Sequence, residues 1–294
     1  MSGFRHSFYN HVLKGEYIDH HVQKPLPLQS TTLSANGEEL MTLWKKSWRP
    51  FLAVMVFLAI WEISTVVFDI QKWFLPAPSD IAKEAVDVLP DFMPHFSASI
   101  KLTISGFAIG VSVGLIIATW LHLMPKARET CYPFLILSQN VPIIVLAPLL
   151  VIWFGFGSLP KLIVITLACF FPVAISALGG FQQTDRELIH YMKMMGANKR
   201  QLFWKLEFPY ALPAIFSGLK IAATYSVMAT IISEWLGAQK GIGVFMTLAT
   251  ESYRTSRVFV AIIIAMIVSL AFFGLILLLE KLLIRYQKEG DNQS

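Results

Sequence analysis

Few residues in this 294-residue chain are suited to chemistry, and those few lie within or beside apolar sequence. Glu62, Lys220 and Glu234 fall inside or at the ends of long hydrophobic runs. An ionisable side chain at a bilayer centre costs roughly 2.5–3.5 kcal/mol on insertion scales, so each invites a functional reading. Two further polar sets could line a passage: Gln139 and Asn140 in "LILSQNVPIIVLAPLL", and Tyr225, Ser226, Thr230 and Ser233 leading to Glu234. The plainer role for either set is hydrogen bonding to a neighbouring helix, worth about 1 kcal/mol. Pro142 and Pro148 interrupt the first set's helix, and freed carbonyls there could equally face a passage. None of this is arranged for catalysis. There is no H-E-x-x-H, no G-x-S-x-G and no pair of carboxylates placed together in an apolar run. Gly237, Gly241 and Gly243 in "GAQKGIG" lack the G-x-x-x-x-G-K-[ST] spacing of a phosphate loop, so no nucleotide, cofactor or metal is expected on this chain.

The elements that must position these residues are membrane helices. The chain is 55% hydrophobic and 15% charged, against about 25% charged in soluble domains. A net charge of +5 would suggest nucleic acid only on a clustered basic face, and here the basic residues flank apolar segments instead. Cys131 and Cys169 have no CxxC partner and read as packing residues. The opening residues contain no apolar core segment, which argues against a cleaved leader.

A span needs about 20 apolar residues. Six segments reach that length: 50–70, 99–123, 132–154, 159–181, 212–236 and 258–283. With the N-terminus inside, Lys45, Lys46, Arg49, Lys126, Arg128, Arg186, Lys193, Lys199, Arg200, Lys205, Lys281, Arg285 and Lys288 face the cytoplasm. Lys72, Lys83, Lys101, Lys161, Lys240, Arg254 and Arg257 face outward. That imbalance puts both termini in the cytoplasm. Residues 1–48 then read as a cytoplasmic tail, 49–288 as the membrane domain and 289–294 as a short C-terminal tail. His6, His11, His20 and His21 in the first tail match no ligand spacing.

In the second segment Gly106, Gly110, Gly114 and Ala118 recur every four residues, making a groove for close approach of another helix. Between the fourth and fifth segments stands a basic insert, about 182–211. Asp185 is placed to cap a helix with Leu188, Ile189, Met192 and Met195 on one side; Gly196 permits a tight turn. A second helix is expected to start at Asn198, with Gln201 at capping-box spacing, and to end at Pro209. Periodicity alone leaves two roles for this pair open: resting on lipid headgroups, or docking on another protein.

The insert resembles the EAA loop of permease subunits of ATP-binding-cassette importers. Gly196 is followed after nine residues by "LEFP" (206–209), then Ala211 and Pro213. "FLPAPSD" (74–80), "APLLVIWFGFG" (147–157) and "SEWLGAQKGIG" (233–243) resemble the nitrate, sulfonate, taurine and pyrimidine-precursor branch, and the likeness runs from about Trp61 to the C-terminal end. The resemblance implies an all-α integral membrane protein with six transmembrane helices, the type I importer permease fold and a cytoplasmic coupling helix. It implies a homodimer in a bacterial inner membrane, two ATPase subunits carrying ATP and Mg, and an external substrate-binding protein that delivers a small nutrient. Thiamine pyrimidine precursors, riboflavin, taurine, sulfonates and nitrate are the candidate cargoes. The coupling positions it implies are His190, Tyr191, Met192, Lys193, Gly196, Ala197, Lys199 and Arg200. His190, Tyr191 and Met192 stand where the family often has Glu-Ala-Ala, so this loop calls for a roomier cleft in the ATPase. The alternative is an ion-coupled secondary transporter, which usually shows internal repeats and a mid-membrane carboxylate. No repeat is evident, and only Glu62 could serve as that carboxylate.

Overall fold

The structure is a computed structural model that describes the backbone of residues 35–284 and the side chains of 48–284. The histidine-bearing tail and the last residues lie outside the described part. The chain divides into two units at Phe57/Leu58. In the first, the described side chains from Trp48 to Phe57 are almost all exposed and mostly apolar. They belong to helix α1 (Ala35–Val67), whose portion from Trp48 onward is long and apolar enough to cross a membrane.

The second unit, among the described residues, is entirely helical: α2 (Pro78–Asp87), α3 (Leu89–Leu123), α4 (Pro125–Gln139), α5 (Ile143–Phe154), α6 (Ser158–Gln182), α7 (Arg186–Met194), α8 (Lys199–Leu202), α9 (Phe208–Glu234), α10 (Ile242–Glu251) and α11 (Thr255–Leu283). Its long helices α3, α6 and α11, and the continuous stretch Lys199–Glu234, each meet the length and hydropathy of a span. With α1 that makes five. The expected third span, residues 132–154, is instead two helices bent by 98° at Asn140–Pro142, so six spans result only if the bent pair counts as one. Pro142 lacks an N–H and disfavours helix in the residue before it, so the break falls there, whereas Pro148 is accommodated inside α5.

The core is built on α6, which packs against α3 on one side and α9 on the other. Small residues set these approaches. A Cβ on Gly110 would stand 2.6 Å from Cys169 Cβ and 2.7 Å from the Thr166 carbonyl, and one on Gly106 would meet Ile165 at 2.5 Å. Gly114 lies against Phe170 and Val173, while Gly180 and Gly218 bring α6 and α9 together in the same way. Where lipid gives no hydrophobic drive, such contact is what associates helices. The outer faces of α5 and α11 carry exposed apolar side chains, among them Ile152, Trp153, Met266 and Leu270.

Candidate functional site

The basic insert folds locally as its residues dictate. Asp185 Oδ1 accepts from the Glu187 N–H at 2.8 Å and caps α7. Gly196 takes φ +82°, a left-handed conformation that turns the chain. Asn198 and Gln201 form a reciprocal capping box, with bonds of 2.8 and 2.9 Å, at the start of α8. Pro209 does not end this second helix. Residues Phe203–Glu207 form a single π-helical turn, closed by Phe208 N–H to the Phe203 carbonyl, and the helix continues directly into α9. Proline is tolerated because it falls two residues past the π-turn, whose wider ring already displaces the i→i−4 ladder where the proline N–H is missing.

This places the coupling candidates together. His190, Tyr191, Lys193, Gly196, Lys199 and Arg200 are exposed, and Met192 and Ala197 are half-buried. No residue of α7 is buried, and Tyr191, Met194 and Met195 present apolar surface at 58%, 81% and 72% exposure. Met192, Met195, Gly196, Ala197, Gln201 and Lys205 line an open cavity of about 260 Å³ beside the turn. His190 Nδ1 lies 2.7 Å from the Arg186 carbonyl, a bond within its own helix. The helix thus shows an apolar edge beside the exposed Arg186, Lys193, Lys199, Arg200 and Lys205, and nothing among the described residues buries it.

The path candidates do not form one lining. Ser226, Thr230, Ser233 and Glu234 are buried, and they bond within α9 and across to neighbouring helices. Thr230 meets Thr103 of α3 at 2.9 Å. Tyr225 lies on another face of α9, 48% exposed, with Ile221 and Met228. Gln139 and Asn140 are exposed at the α4–α5 break, and Asn140 Nδ2 donates to the Ile136 carbonyl at 2.8 Å.

Glu234 is 2% exposed and holds the loop between α9 and α10 in place. Its carboxylate accepts from Ser99 Oγ at 2.5 Å and from the Gly243 N–H at 2.8 Å. Ser99 Oγ in turn accepts from the Ile242 N–H at 2.8 Å, so the pair satisfies the first amides of α10, and Lys161 is the charged neighbour that attracts it. The glycines of "GAQKGIG" follow from this carboxylate. Gly241, at φ +149°, would place a Cβ 2.2 Å from Glu234 Cδ.

The other ionisable residues are also occupied. Glu62 accepts from Ser79 N–H at 3.0 Å and Ser79 Oγ at 2.7 Å, which ties it to the first turn of α2. Lys220 pairs with Glu280 of α11 at 2.9 Å. Sequence reasoning missed Glu280, Ser99 and Thr103, and it missed His122 with Glu207, 2.9 Å apart between α3 and the π-turn. Ser99 and Thr103 had a signal, because they extend the small-residue spacing of Gly106, Gly110 and Gly114 toward the start of α3. The two ion pairs had none.

The architecture is that of a multi-pass membrane protein with a basic loop between two of its spans. The family described as binding-protein-dependent transport system inner membrane component matches residues 88–285, and the chain belongs to it. Among its relatives, the formylaminopyrimidine transport permease protein ThiX of Halalkalibacterium halodurans is 32% identical over 241 residues, covering 82% of this chain and 96% of that protein. The taurine transport system permease protein TauC of Escherichia coli is 31% identical over 228 residues, 75% and 83% of the two chains. The riboflavin transport system permease protein RibX of Chloroflexus aurantiacus is 27% identical over 238 residues, 80% and 89%. A crystal structure of an amino acid ABC transporter with histidines superposes with a TM-score of 0.56 at 19% identity, over 67% of this chain and 95% of that one, which establishes a shared fold. The chain is thus a multi-pass inner-membrane permease component of an ABC importer, with the type I permease fold.

Proposed function

We propose that two copies of this chain form the translocation path for a small organic nutrient, with residues 182–211 of each gripped from the cytoplasm by one of two ATPase subunits that bind ATP and Mg. The observation that carries this reading is α7, an amphipathic helix of nine residues with none buried, set against a left-handed glycine and five basic side chains. Its exposed Tyr191 and half-buried Met192 call for a cleft wider than a pair of alanines would need. Both termini then face the cytoplasm, the membrane domain covers 49–288, and the outer loop held by Glu234 faces an external binding protein. The cargo class that the relatives best support is a pyrimidine like the one in the name of the ThiX permease, which matches along nearly its whole length. Binding of formylaminopyrimidine by the cognate binding protein tests that choice.

The ion-coupled alternative loses its one candidate carboxylate, because both oxygens of Glu62 are engaged by Ser79. Replacing Gly196 by isoleucine tests the coupling role. A β-branched residue at φ +82° stores about 1–3 kcal/mol of strain and re-aims α7 against α8. Nothing lies within 4 Å of its Cβ, so insertion and folding persist. Expected are normal membrane levels with uptake uncoupled from ATP hydrolysis; wild-type coupling in that variant contradicts the reading.

A further inference from the structure

The stretch Lys199–Glu234 is one continuous helical lever that runs from the basic loop into the membrane, and its weakest point is the π-turn at Phe203–Glu207. A π-turn widens the helix by one residue and frequently marks a functional site. Here it presents Glu207 to the last turn of α3, where His122 Nε2 lies 2.9 Å from Glu207 Oε2. A carboxylate only accepts, so Nε2 donates. Both side chains are largely withdrawn from solvent, at 14% and 12% exposure. The imidazole is packed by Phe181 of α6 at 4.9 Å and Phe203 of the π-turn at 6.1 Å, and those two rings are 5.5 Å apart.

One detail separates this joint from ordinary packing. His122 Nδ1 is buried without a hydrogen-bond partner among the described residues. A phenylalanine at 122 would fill the same aromatic pocket with no unpaired nitrogen, so packing alone does not account for an imidazole there. What the imidazole adds is a directional tie from the lever to α3 across 85 residues of sequence.

We propose that His122 and Glu207 are positioning residues that fasten the π-turn to α3 and α6, so that displacement of the basic loop moves those spans instead of flexing the lever at its π-turn. This rests on the loop being driven by an ATPase, as proposed above. Without the tie, the lever can flex at its π-turn and less of the loop's displacement reaches α3.

The test uses the assembled complex with its ATPases, with Cys131 and Cys169 replaced by alanine and a spin label at one of two exposed positions. Glu187→Cys reports the loop and Met124→Cys the end of α3, each read as a distance between the two permease copies. In the wild type, ATP and Mg shift both distances. In His122→Phe the loop shift persists and the α3 shift is lost. Glu207→Gln keeps an acceptor for Nε2–H and retains both shifts. Equal α3 shifts in wild type and His122→Phe overturn the joint. Should His122→Phe fail to assemble, Glu207→Ala is read by the same criterion. A wild-type loop distance that ignores ATP refutes the ATPase-driven reading itself, and is distinguishable because it involves no substitution at the joint.

Discussion

Truncating Glu234 to alanine removes the carboxylate that accepts from two buried donors, the Gly243 N–H at 2.8 Å and the Ser99 hydroxyl at 2.5 Å. Each unsatisfied buried donor costs about 1–3 kcal/mol. Release of the carboxylate's own burial penalty offsets part of that, as removing a buried charge commonly does. A net loss of about 2–4 kcal/mol, borne locally by the start of α10, is the result. At about 1.4 kcal/mol per decade it speeds amide exchange there roughly 30- to 1000-fold. Glutamine at 234 behaves differently, because its carbonyl can accept from Gly243 N–H while its amide donates to Ser99 Oγ. The assay is hydrogen–deuterium exchange of the protein in nanodiscs, read on peptides spanning 241–246. Glu234→Ala should lose protection there while α6 stays unchanged, and Glu234→Gln should lose less than a tenth as much. Wild-type protection of 241–246 in Glu234→Ala would refute the latch.

Other expectations follow from the same contacts. Gly110→Leu forces side-chain atoms into the Thr166 carbonyl and Cys169, and should destabilise the fold by at least the 1–3 kcal/mol typical of overpacking. Gly274→Ala, with nothing within 4 Å, should be neutral or slightly stabilising by thermal unfolding in detergent. Lys220→Met leaves Glu280 unpaired at 21% exposure, so it should cost more stability than the double variant Lys220→Met with Glu280→Gln; the reverse order would discount the pair.

How much of this was legible in the sequence depended on the range of the force involved. Local signals survived intact: Asp185 as a cap, the Asn198–Gln201 box and the left-handed Gly196 each depend on neighbours within a few residues. The four-residue spacing of Gly106, Gly110 and Gly114 announced a close contact but could not name α6 as its partner. Proline was the weakest guide. Pro142 broke a helix, Pro148 did not, and Pro209 sits inside a continuous one just past its π-turn, because a proline's effect depends on the state of the ladder around it. Residue type and position in a span could not choose between path and packing for Glu62, Lys220 and Glu234, and in the structure all three bond between elements. Their partners Ser79, Glu280 and Ser99 lie 17, 60 and 135 residues away, beyond any periodicity.

The most direct test of the account is the sidedness of the basic loop. A cysteine at Met195, 72% exposed, in a chain with Cys131 and Cys169 replaced, is treated with a membrane-impermeant maleimide. The account predicts no modification in sealed spheroplasts, full modification in inside-out vesicles, and protection there when the ATPase is bound. Modification from the outer face of sealed spheroplasts would contradict it.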